Sequence, residues 1–221
     1  MAELQQIKRE RAADSIFVAL RHAILELDFL PGERLDIQFL AKKFDVSATP
    51  IKNALHMLAS AGLVEIKPRS GTFVTRPAAT DIADTFDIRR ALECLAAESA
   101  VRNVDDAAIA RLSTLMNNMQ HTSSVEEHTA YNTEFHRTLM ALSGNRRLLE
   151  VYDELNAHLR IARIHSTQHS WLSRVDNEHA DHMAILEAIK KRDLAELTEA
   201  LTRHINRAKK VLTDSLREAE R

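Results

Sequence analysis

The sequence predicts a mainly α-helical protein in two parts: a small N-terminal unit that ends in a β-hairpin, and an all-α antiparallel six-helix bundle. Glycine and proline number only four each among 221 residues, a composition that favours helices. Turn residues are concentrated between residues 29 and 76, and beyond residue 80 apolar residues recur at helical spacing. We therefore expect an N-terminal domain at 1–76 with a mobile tail at 1–12, a linker at 77–80 and a helical domain at 81–221.

Three helices are predicted before the hairpin. The first spans about 15–27 with Asp14 as its N-cap, and the second follows the predicted N-cap Asp36. The third spans about 48–61 behind Ser47, and its first turn accepts a proline because no backbone N–H is needed there. The side chains expected to face the core from the second and third helices are Phe39, Leu40, Phe44, Ile51, Leu55, Leu58 and Ala59.

Two short strands at 63–67 and 72–75 flank the turn sequence Pro68-Arg69-Ser70-Gly71. Three helices followed by such a hairpin form a winged helix-turn-helix, whose third helix enters a DNA groove. The segment 42–76 holds six basic and two acidic residues, and this excess favours binding to a polyanion. The pattern predicts a protein that binds double-stranded DNA.

The candidate DNA contacts lie at the start of the third helix and in the wing. Lys52 and Asn53 lie opposite the apolar stripe, where Lys52 suits phosphate or guanine and Asn53 suits adenine. Each of these residues taken alone is equally well explained as an ordinary polar surface residue. The predicted DNA-binding set is Gln38, Ser47, Ala48, Thr49, Lys52, Asn53, Arg69, Ser70 and Gly71.

The helical domain is predicted to contain six helices, which suits an antiparallel bundle. A clear break lies at Ser143-Gly144-Asn145, and Asp105 and Asp193 resemble helix starts. The six predicted ranges are 81–102, 105–120, 124–143, 146–169, 172–191 and 193–218.

Nine of the 11 histidines lie beyond residue 120. Asn132 and His136 share a helix face because they are four residues apart, and His182 and His204 lie on two later helices. Three helices that each project a ligand inward can form a three-histidine site with one weak oxygen ligand, which suits Zn²⁺, Ni²⁺ or a similar divalent ion. Spacing alone leaves two rival pairs open, His165/His169 and His179/His182. Spacing equally allows that these histidines lie on the surface or only form structural hydrogen bonds.

Several classes of protein are disfavoured. No segment has the ~20 apolar residues of a membrane span, and the charged N-terminus lacks the apolar core of a signal peptide, so we expect a cytoplasmic protein. The single cysteine, Cys94, excludes an internal disulfide and is expected to be buried. A metal-dependent hydrolase is disfavoured because no H-E-x-x-H motif, nucleophile elbow or phosphate loop is present.

The strings PGERL, LAKKFDVSATPIKNAL and AGLVEIKPRSGTFV resemble the winged-helix domain of GntR-type bacterial transcription regulators. Four residues depart from the family pattern. Ala48, Lys52 and Ser70 stand where arginine is usual, and Asn53 stands where glutamate is usual. Because lysine lacks the fork that pairs with guanine, the departures predict either an unusual operator or weaker DNA binding.

Residues 81–210 resemble the FCD ligand-sensing domain of the FadR branch of that family, through the strings IRRALE, NTEFHRTLMALSGN, EHADHMAILEAIKKRD and HI. The resemblance implies a divalent metal bound by Asn132, His136, His182 and His204. Asn132 stands where aspartate is commoner, and an amide is the weaker ligand. Six helices rather than seven make the domain similar to that of VanR-type regulators.

The resemblance also implies that Arg89 faces the pocket and pairs with a small carboxylate effector. The spacing of Arg89 and Glu93 equally allows an ordinary i,i+4 ion pair. Trp171 is expected to pack in the core or at an interface.

The resemblance implies a ligand-responsive transcription regulator. We expect a homodimer on a palindromic operator and a repressor that a small organic acid releases. The remaining alternative is a helical interaction or sensor protein whose DNA binding has weakened, as Ala48 and Ser70 would allow.

Overall fold

The structure is a computed structural model, and it describes residues 8–26, 28–76, 78–166 and 172–219. The chain forms two compact units, Met1–Arg76 and Pro77–Arg221. The elements of the first unit are α1 (Lys8–Leu25), β1 (Arg34–Leu35), α2 (Ile37–Lys43), α3 (Ala48–Ser60), β2 (Val64–Lys67) and β3 (Gly71–Val74). The expected fold class, a winged helix-turn-helix followed by a helical bundle, is confirmed.

The helix starts of the first unit follow the sequence in part. The Asp36 side chain accepts a hydrogen bond from the backbone N–H of Phe39 at 2.7 Å, so it is the predicted N-cap of α2. Ser47 occupies the N-cap position of α3 without a capping side-chain hydrogen bond. Asp14 is not an N-cap, because α1 begins at Lys8; the residues before Asp14 include good helix formers and extend the helix.

Phe39 corrects a predicted core position, because its side chain is 56% exposed. The neighbouring Leu40 and Ala41 take the buried side of α2, and consecutive helix residues point about 100° apart. The Phe39 ring lies under the Lys43 ammonium, 6.0 Å from its nitrogen. Ile51, Leu55 and Leu58 of α3 are buried as predicted, while Phe44 and Ala59 are half-buried.

The three strands form an antiparallel sheet in the order β1-β3-β2. Val64 pairs with Val74 and Lys67 with Gly71, so the hairpin turn lies where the sequence predicts it. Arg69 at the turn has φ +62° and Gly71 has φ +126°. The second of these conformations favours glycine. Strand β1 was not predicted, because two residues are too short to show an alternating pattern.

The second unit contains six helices among its described residues, as predicted. They are α4 (Ala79–Asn103), α5 (Asp106–His121), α6 (Val125–Ala141), α7 (Arg146–Ser166), α8 (Leu172–Lys191) and α9 (Leu194–Ala219). Asp105 and Ser124 cap α5 and α6 through bonds to backbone N–H groups. The buried apolar stripe of α9 includes Leu197, Leu201, Ile205 and Leu212.

Two further predictions need comment. Cys94 is half-buried rather than buried, and its Sγ lies 3.8 Å from Oγ1 of Thr202 on α9. The rival histidines His165 and His169 and the aromatic Trp171 fall outside the side chains that the structure describes.

Candidate metal centre and DNA-binding surface

The predicted DNA-binding residues lie on α2, on α3 and in the wing. Seven of the nine are exposed, namely Gln38, Ser47, Thr49, Lys52, Asn53, Arg69 and Ser70. Ala48 and Gly71 are half-buried. Lys52 and Asn53 therefore face outward, opposite the buried stripe of α3.

The wing contains a basic residue that sequence reasoning missed. A Cβ added to Gly71 would lie 2.9 Å from Nε of Arg34, so the arginine of β1 lies directly against the wing glycine. Arg34 is itself exposed. It adds a positive charge next to the glycine of the wing hairpin, which itself carries Lys67 and Arg69.

Three buried histidines meet inside the helical unit. His136 on α6, His182 on α8 and His204 on α9 are 0%, 1% and 2% exposed. Nε2 of His136 lies 3.1 Å from Nε2 of His204 and 3.3 Å from Nε2 of His182. One ligand nitrogen from each ring lies within 4.8 Å of the others. The packing of α6, α8 and α9 thus brings together three of the four predicted metal ligands.

These distances suit a shared metal ion. Two nitrogens that each lie about 2.1 Å from one metal are about 3.0 Å apart at a right angle and about 3.4 Å apart at the tetrahedral angle. The observed separations of 3.1 and 3.3 Å lie between these values. The two separations from His136 therefore fit Zn²⁺ or a similar ion, and all three ligand nitrogens lie within 4.8 Å of one another.

Each histidine has a partner on the side of the ring away from this centre. Nδ1 of His136 lies 2.9 Å from Oε2 of Glu93, and Nδ1 of His204 lies 3.6 Å from Oδ2 of Asp181. His182 forms a hydrogen bond with the backbone of Glu178. The hydrogen bonds of His136 and His182 fix the orientation of these rings and raise the basicity of the nitrogen that remains for the metal. The 3.6 Å separation at His204 is longer than a hydrogen bond.

The ring partners determine what the centre can hold. Nδ1 of His136 donates its proton to Glu93, and the backbone of Glu178 accepts the proton of His182, so both Nε2 atoms are left as acceptors. Two acceptors that face each other at 3.3 Å repel unless a cation lies between them. A proton can join only two nitrogens, whereas one metal ion can bind all three.

The electrostatics of the centre favour a metal over a proton. Burial lowers the pKa of His182 well below its usual value, and the neighbouring His204 and His136 lower it further. Histidine binds metal in its neutral form. His182 is therefore neutral at neutral pH, which is the form in which a histidine can bind a metal.

Glu93 joins the histidines to a buried arginine. Its Oε1 accepts hydrogen bonds from Nε of Arg89 at 2.6 Å and from the Tyr152 hydroxyl at 3.1 Å. Burial by itself would raise the pKa of Glu93, but Arg89 and His136 hold it well below its usual range. Burial raises the pKa of Tyr152, with a further contribution from Glu93. Glu93 is thus ionised and Tyr152 neutral.

Arg89 fits both interpretations of its spacing. It forms the i,i+4 ion pair with Glu93 while being 1% exposed. Burial would lower the pKa of Arg89, but Glu93 and Tyr152 raise it above its usual value. Its terminal nitrogen Nη2 is buried without a hydrogen-bond partner among the described residues. A buried charged donor without a partner is unfavourable, so Nη2 is suited to an anionic ligand.

Asn132 lies one helical turn before His136 on α6 and is 2% exposed, so its amide belongs to the same buried face. Sequence reasoning missed the site roles of Tyr152 and Asp181. Asp181 directly precedes His182, and its carboxylate pairs with Arg207 at 3.0 Å. Neither role has a local sequence signal, because each depends on how separate helices pack.

No helix in the described part of the chain is both long and apolar enough to cross a membrane.

Comparison with known proteins agrees with both units. Residues 12–74 match the family described as "Bacterial regulatory proteins, gntR family", and residues 84–207 match the FCD domain. The HTH-type transcriptional regulator YdhC of Bacillus subtilis (strain 168) is 28% identical over 191 residues, which are 85% of this chain and 84% of that protein. The HTH-type transcriptional repressor RspR of Escherichia coli (strain K12) is 24% identical over 86% of this chain and 84% of that protein.

A solved structure shares the fold. E. coli McbR/YncC matches 92% of this chain and 97% of its own with a TM-score of 0.78 and 20% sequence identity. The relatives are transcription regulators and not enzymes. The chain therefore belongs to the gntR family of bacterial regulatory proteins, as a DNA-binding transcription regulator with a C-terminal FCD domain.

Proposed function

We propose that this protein is a ligand-responsive repressor, released from its operator by a small organic acid that binds in a metal-containing pocket of the helical domain. Residues 1–76 bind DNA, residues 77–80 link the domains, and residues 81–221 bind the metal and the effector. The observation that carries the proposal is the convergence of the Nε2 atoms of His136, His182 and His204. The protein acts in the cytoplasm, where the DNA is.

His136, His182 and His204 hold the divalent metal, which we take to be Zn²⁺ or Ni²⁺, and Asn132 is the weak oxygen ligand. Three neutral imidazoles and an amide suit borderline ions of this type. When bound, the metal supplies a fixed positive charge that attracts a carboxylate oxygen.

The effector is a small carboxylate because of the charges around it. Arg89 and Glu93 neutralise each other as a buried pair, so a divalent ion beside neutral histidines leaves the pocket with a net positive charge. A buried charge of this kind is stabilised by a counter-ion. Nη2 of Arg89 supplies a donor for the oxygens of that acid.

Release follows only if the acid binds the two arrangements of the protein with different affinity. We infer that the acid prefers the arrangement in which a homodimer cannot place both winged helices on a palindromic operator. Repression is supported by RspR, a relative named as a transcriptional repressor.

The proposal is tested with the purified full-length protein and an operator selected from random duplexes. Fluorescence anisotropy of the labelled operator is followed with metal-free protein, with Zn²⁺- or Ni²⁺-loaded protein, and with each form plus a panel of small organic acids. We expect DNA binding without acid, and release by one class of acid only in the metal-loaded form.

His136→Ala should abolish both metal retention and the response to acid while leaving DNA binding intact. If this variant kept the full acid response, the proposal that the acid binds in a metal-containing pocket would be wrong. If no duplex were selected, the protein would instead be a helical interaction or sensor protein.

A further inference from the structure

A cleft rich in histidine and methionine lies beside the three-histidine centre, between α5, α6 and α8. Its volume is about 180 Å³, and the described residues that line it are Met116, Met119, Gln120, His128, His179 and His182. Gln120 is exposed, whereas Met119 and His182 are buried. The cleft therefore extends from the surface into the bundle.

His182 belongs both to this cleft and to the three-histidine centre. Its Nε2 lies 3.3 Å from Nε2 of His136, and its side chain also lines the cleft. His179 lies one helical turn before His182 on the same face of α8. The pair that spacing left open as a rival metal site therefore continues the centre towards the surface.

The side chains of the cleft are suited to a metal ion. Imidazole is a ligand for Zn²⁺ and Ni²⁺, and the thioether of methionine adds a soft ligand on a flexible side chain. Oε2 of Glu178 lies 3.7 Å from Nε2 of His128, and 31% of the Glu178 side chain is exposed. This carboxylate adds a negative charge that attracts cations to the cleft.

The organic acid of the proposed function does not suit the cleft. Sites for small molecules usually measure about 300–1,000 Å³, whereas this cleft of about 180 Å³ has room for an ion and a few waters. An acid would also be repelled by the carboxylate of Glu178. Size and charge therefore both favour the metal over the effector.

We propose that this cleft is the entry site for the metal ion, where Met116, His128 and His179 bind the ion on its way to the three-histidine centre. The inference rests on the metal-containing pocket of the proposed function and adds the route by which that pocket is filled. Ligands on such a route must bind strongly enough to attract an ion and weakly enough to release it. A half-buried methionine and two half-buried histidines, carried by three different helices, suit weak binding of this kind.

The test measures how fast the full chain takes up and releases Co²⁺. Metal-free protein is mixed with Co²⁺ in a stopped-flow instrument, and the d–d absorption reports uptake. Release is measured after mixing the loaded protein with enough chelator that the rate no longer depends on chelator concentration. The variants are His128→Gln/His179→Gln and Met116→Leu, of which the second keeps the side-chain volume and removes the sulfur.

Uptake and release should both slow by about tenfold in His128→Gln/His179→Gln, because a group that contacts the ion only during passage lowers the barrier equally in both directions. Met116→Leu should slow both rates by a smaller common factor. The dissociation constant is the ratio of the two rate constants, so it should equal that of the wild type in each variant.

Two matched controls lie outside the cleft lining. His121→Gln changes an exposed histidine at the end of α5, and Met183→Leu changes an exposed methionine on α8. Both should leave the two rates unchanged. Thermal unfolding of the metal-free proteins confirms that each variant is folded.

Equal slowing of uptake and release in the cleft variants supports the entry site. If the wild type binds Co²⁺ but the cleft variants exchange it at the wild-type rates, the entry site is wrong while the proposed metal pocket stands. If the variants weaken equilibrium binding as much as they slow uptake, these residues are permanent ligands and the entry site is again wrong. If the wild type takes up no divalent ion, both the entry site and the proposed metal pocket are wrong.

Discussion

Oε2 of Glu93 accepts a hydrogen bond from Nδ1 of His136 at 2.9 Å, in a part of the helical unit where both side chains are fully buried. The bond links the proposed metal ligand to Arg89, since the other carboxylate oxygen of Glu93 accepts from that guanidinium. An acid that contacted Arg89 would thus act on a side chain bonded to Glu93, the carboxylate that also orients a proposed metal ligand.

Glu93→Gln should weaken metal binding and destabilise the fold. Loss of the partner of a metal-binding histidine typically weakens metal affinity by about 10–100-fold. Arg89 would also be left as a buried charge without its counter-ion, which costs roughly 3–5 kcal/mol of the free energy of unfolding. Competition with a coloured chelator measures the affinity, and denaturant unfolding measures the stability.

Glu98→Gln, an exposed position on the same helix, is the matched control for Glu93→Gln. Equal metal affinity in the two variants would show that Glu93 does not support His136.

The metal-free protein should lose stability as the pH falls below about 6.5. The pKa of His182 in the folded protein lies well below the ordinary histidine value of 6.5, so below that pH the unfolded chain binds a proton that the folded chain does not. Stability is therefore fully present above this pH and decreases by up to about 1.4 kcal/mol per pH unit until the folded pKa is reached.

Unfolding by denaturant in the presence of a chelator, between pH 5 and 8, measures this dependence. His182→Gln should flatten the dependence on pH, while His121→Gln, at an exposed position at the end of α5, should not. If His182→Gln did not change the slope of stability against pH, another titrating group would be responsible for the dependence.

Lys52→Ala should weaken DNA binding at all sequences by a similar factor. The Lys52 side chain is exposed on α3, and each phosphate that a protein neutralises contributes about 0.9 to the slope of log affinity against log salt concentration. The slope should therefore fall by about this amount. Titrations between low and moderate salt measure it, with Lys190→Ala in the helical unit as the control. An unchanged slope would show that Lys52 does not contact a DNA phosphate.

Ala48→Arg should increase affinity for operators that contain guanine at one position of each half-site. Ala48 lies in the first turn of α3, and arginine there would regain the bidentate guanine contact that the family pattern uses. A contact of this kind discriminates by about 1–3 kcal/mol. Selection of random duplexes with both proteins tests the prediction, and identical selected sites would contradict it.

Local signals predicted the helices well, because caps and breaks act over a few residues. Asp36 caps α2 as expected, and the break at 143–145 separates α6 from α7. Phe39 was placed wrongly because a seven-residue helix has too few apolar positions to define its buried side. Strand β1 exists only through its pairing with β3, which the two residues of the strand do not encode by themselves.

The histidine site was less predictable from spacing than the fold. His179 and His182 share one face of their helix, as Asn132 and His136 share one face of theirs. A shared helix face does not show which helices pack together, so spacing alone could not choose between these pairs. The resemblance, rather than periodicity, selected His136, His182 and His204, and the helix packing brings these three within ligand distance. The spacing of Arg89 and Glu93 suggests either an ion pair or a pocket role, but the two are compatible, because one guanidinium can donate to Glu93 from Nε and keep Nη2 for a ligand.

Asn132→Asp should strengthen metal binding and lower the stability of the metal-free protein. A carboxylate is a stronger ligand for a divalent ion than an amide, so the metal dissociation constant should fall by about tenfold or more. Without the metal, the same carboxylate at a 2% exposed position would be a buried charge, which is unfavourable. The substitution should therefore increase the metal affinity measured by chelator competition and decrease the stability measured by unfolding of the metal-free protein.

The d–d absorption spectrum of the Co²⁺-loaded protein gives a separate test of Asn132, because it changes when an oxygen ligand changes. Asn132→Ala should alter the spectrum while the three histidines still hold the ion. If Asn132→Asp changed neither the spectrum nor the affinity, Asn132 would lie outside the coordination sphere, and water or the effector would supply the oxygen ligand.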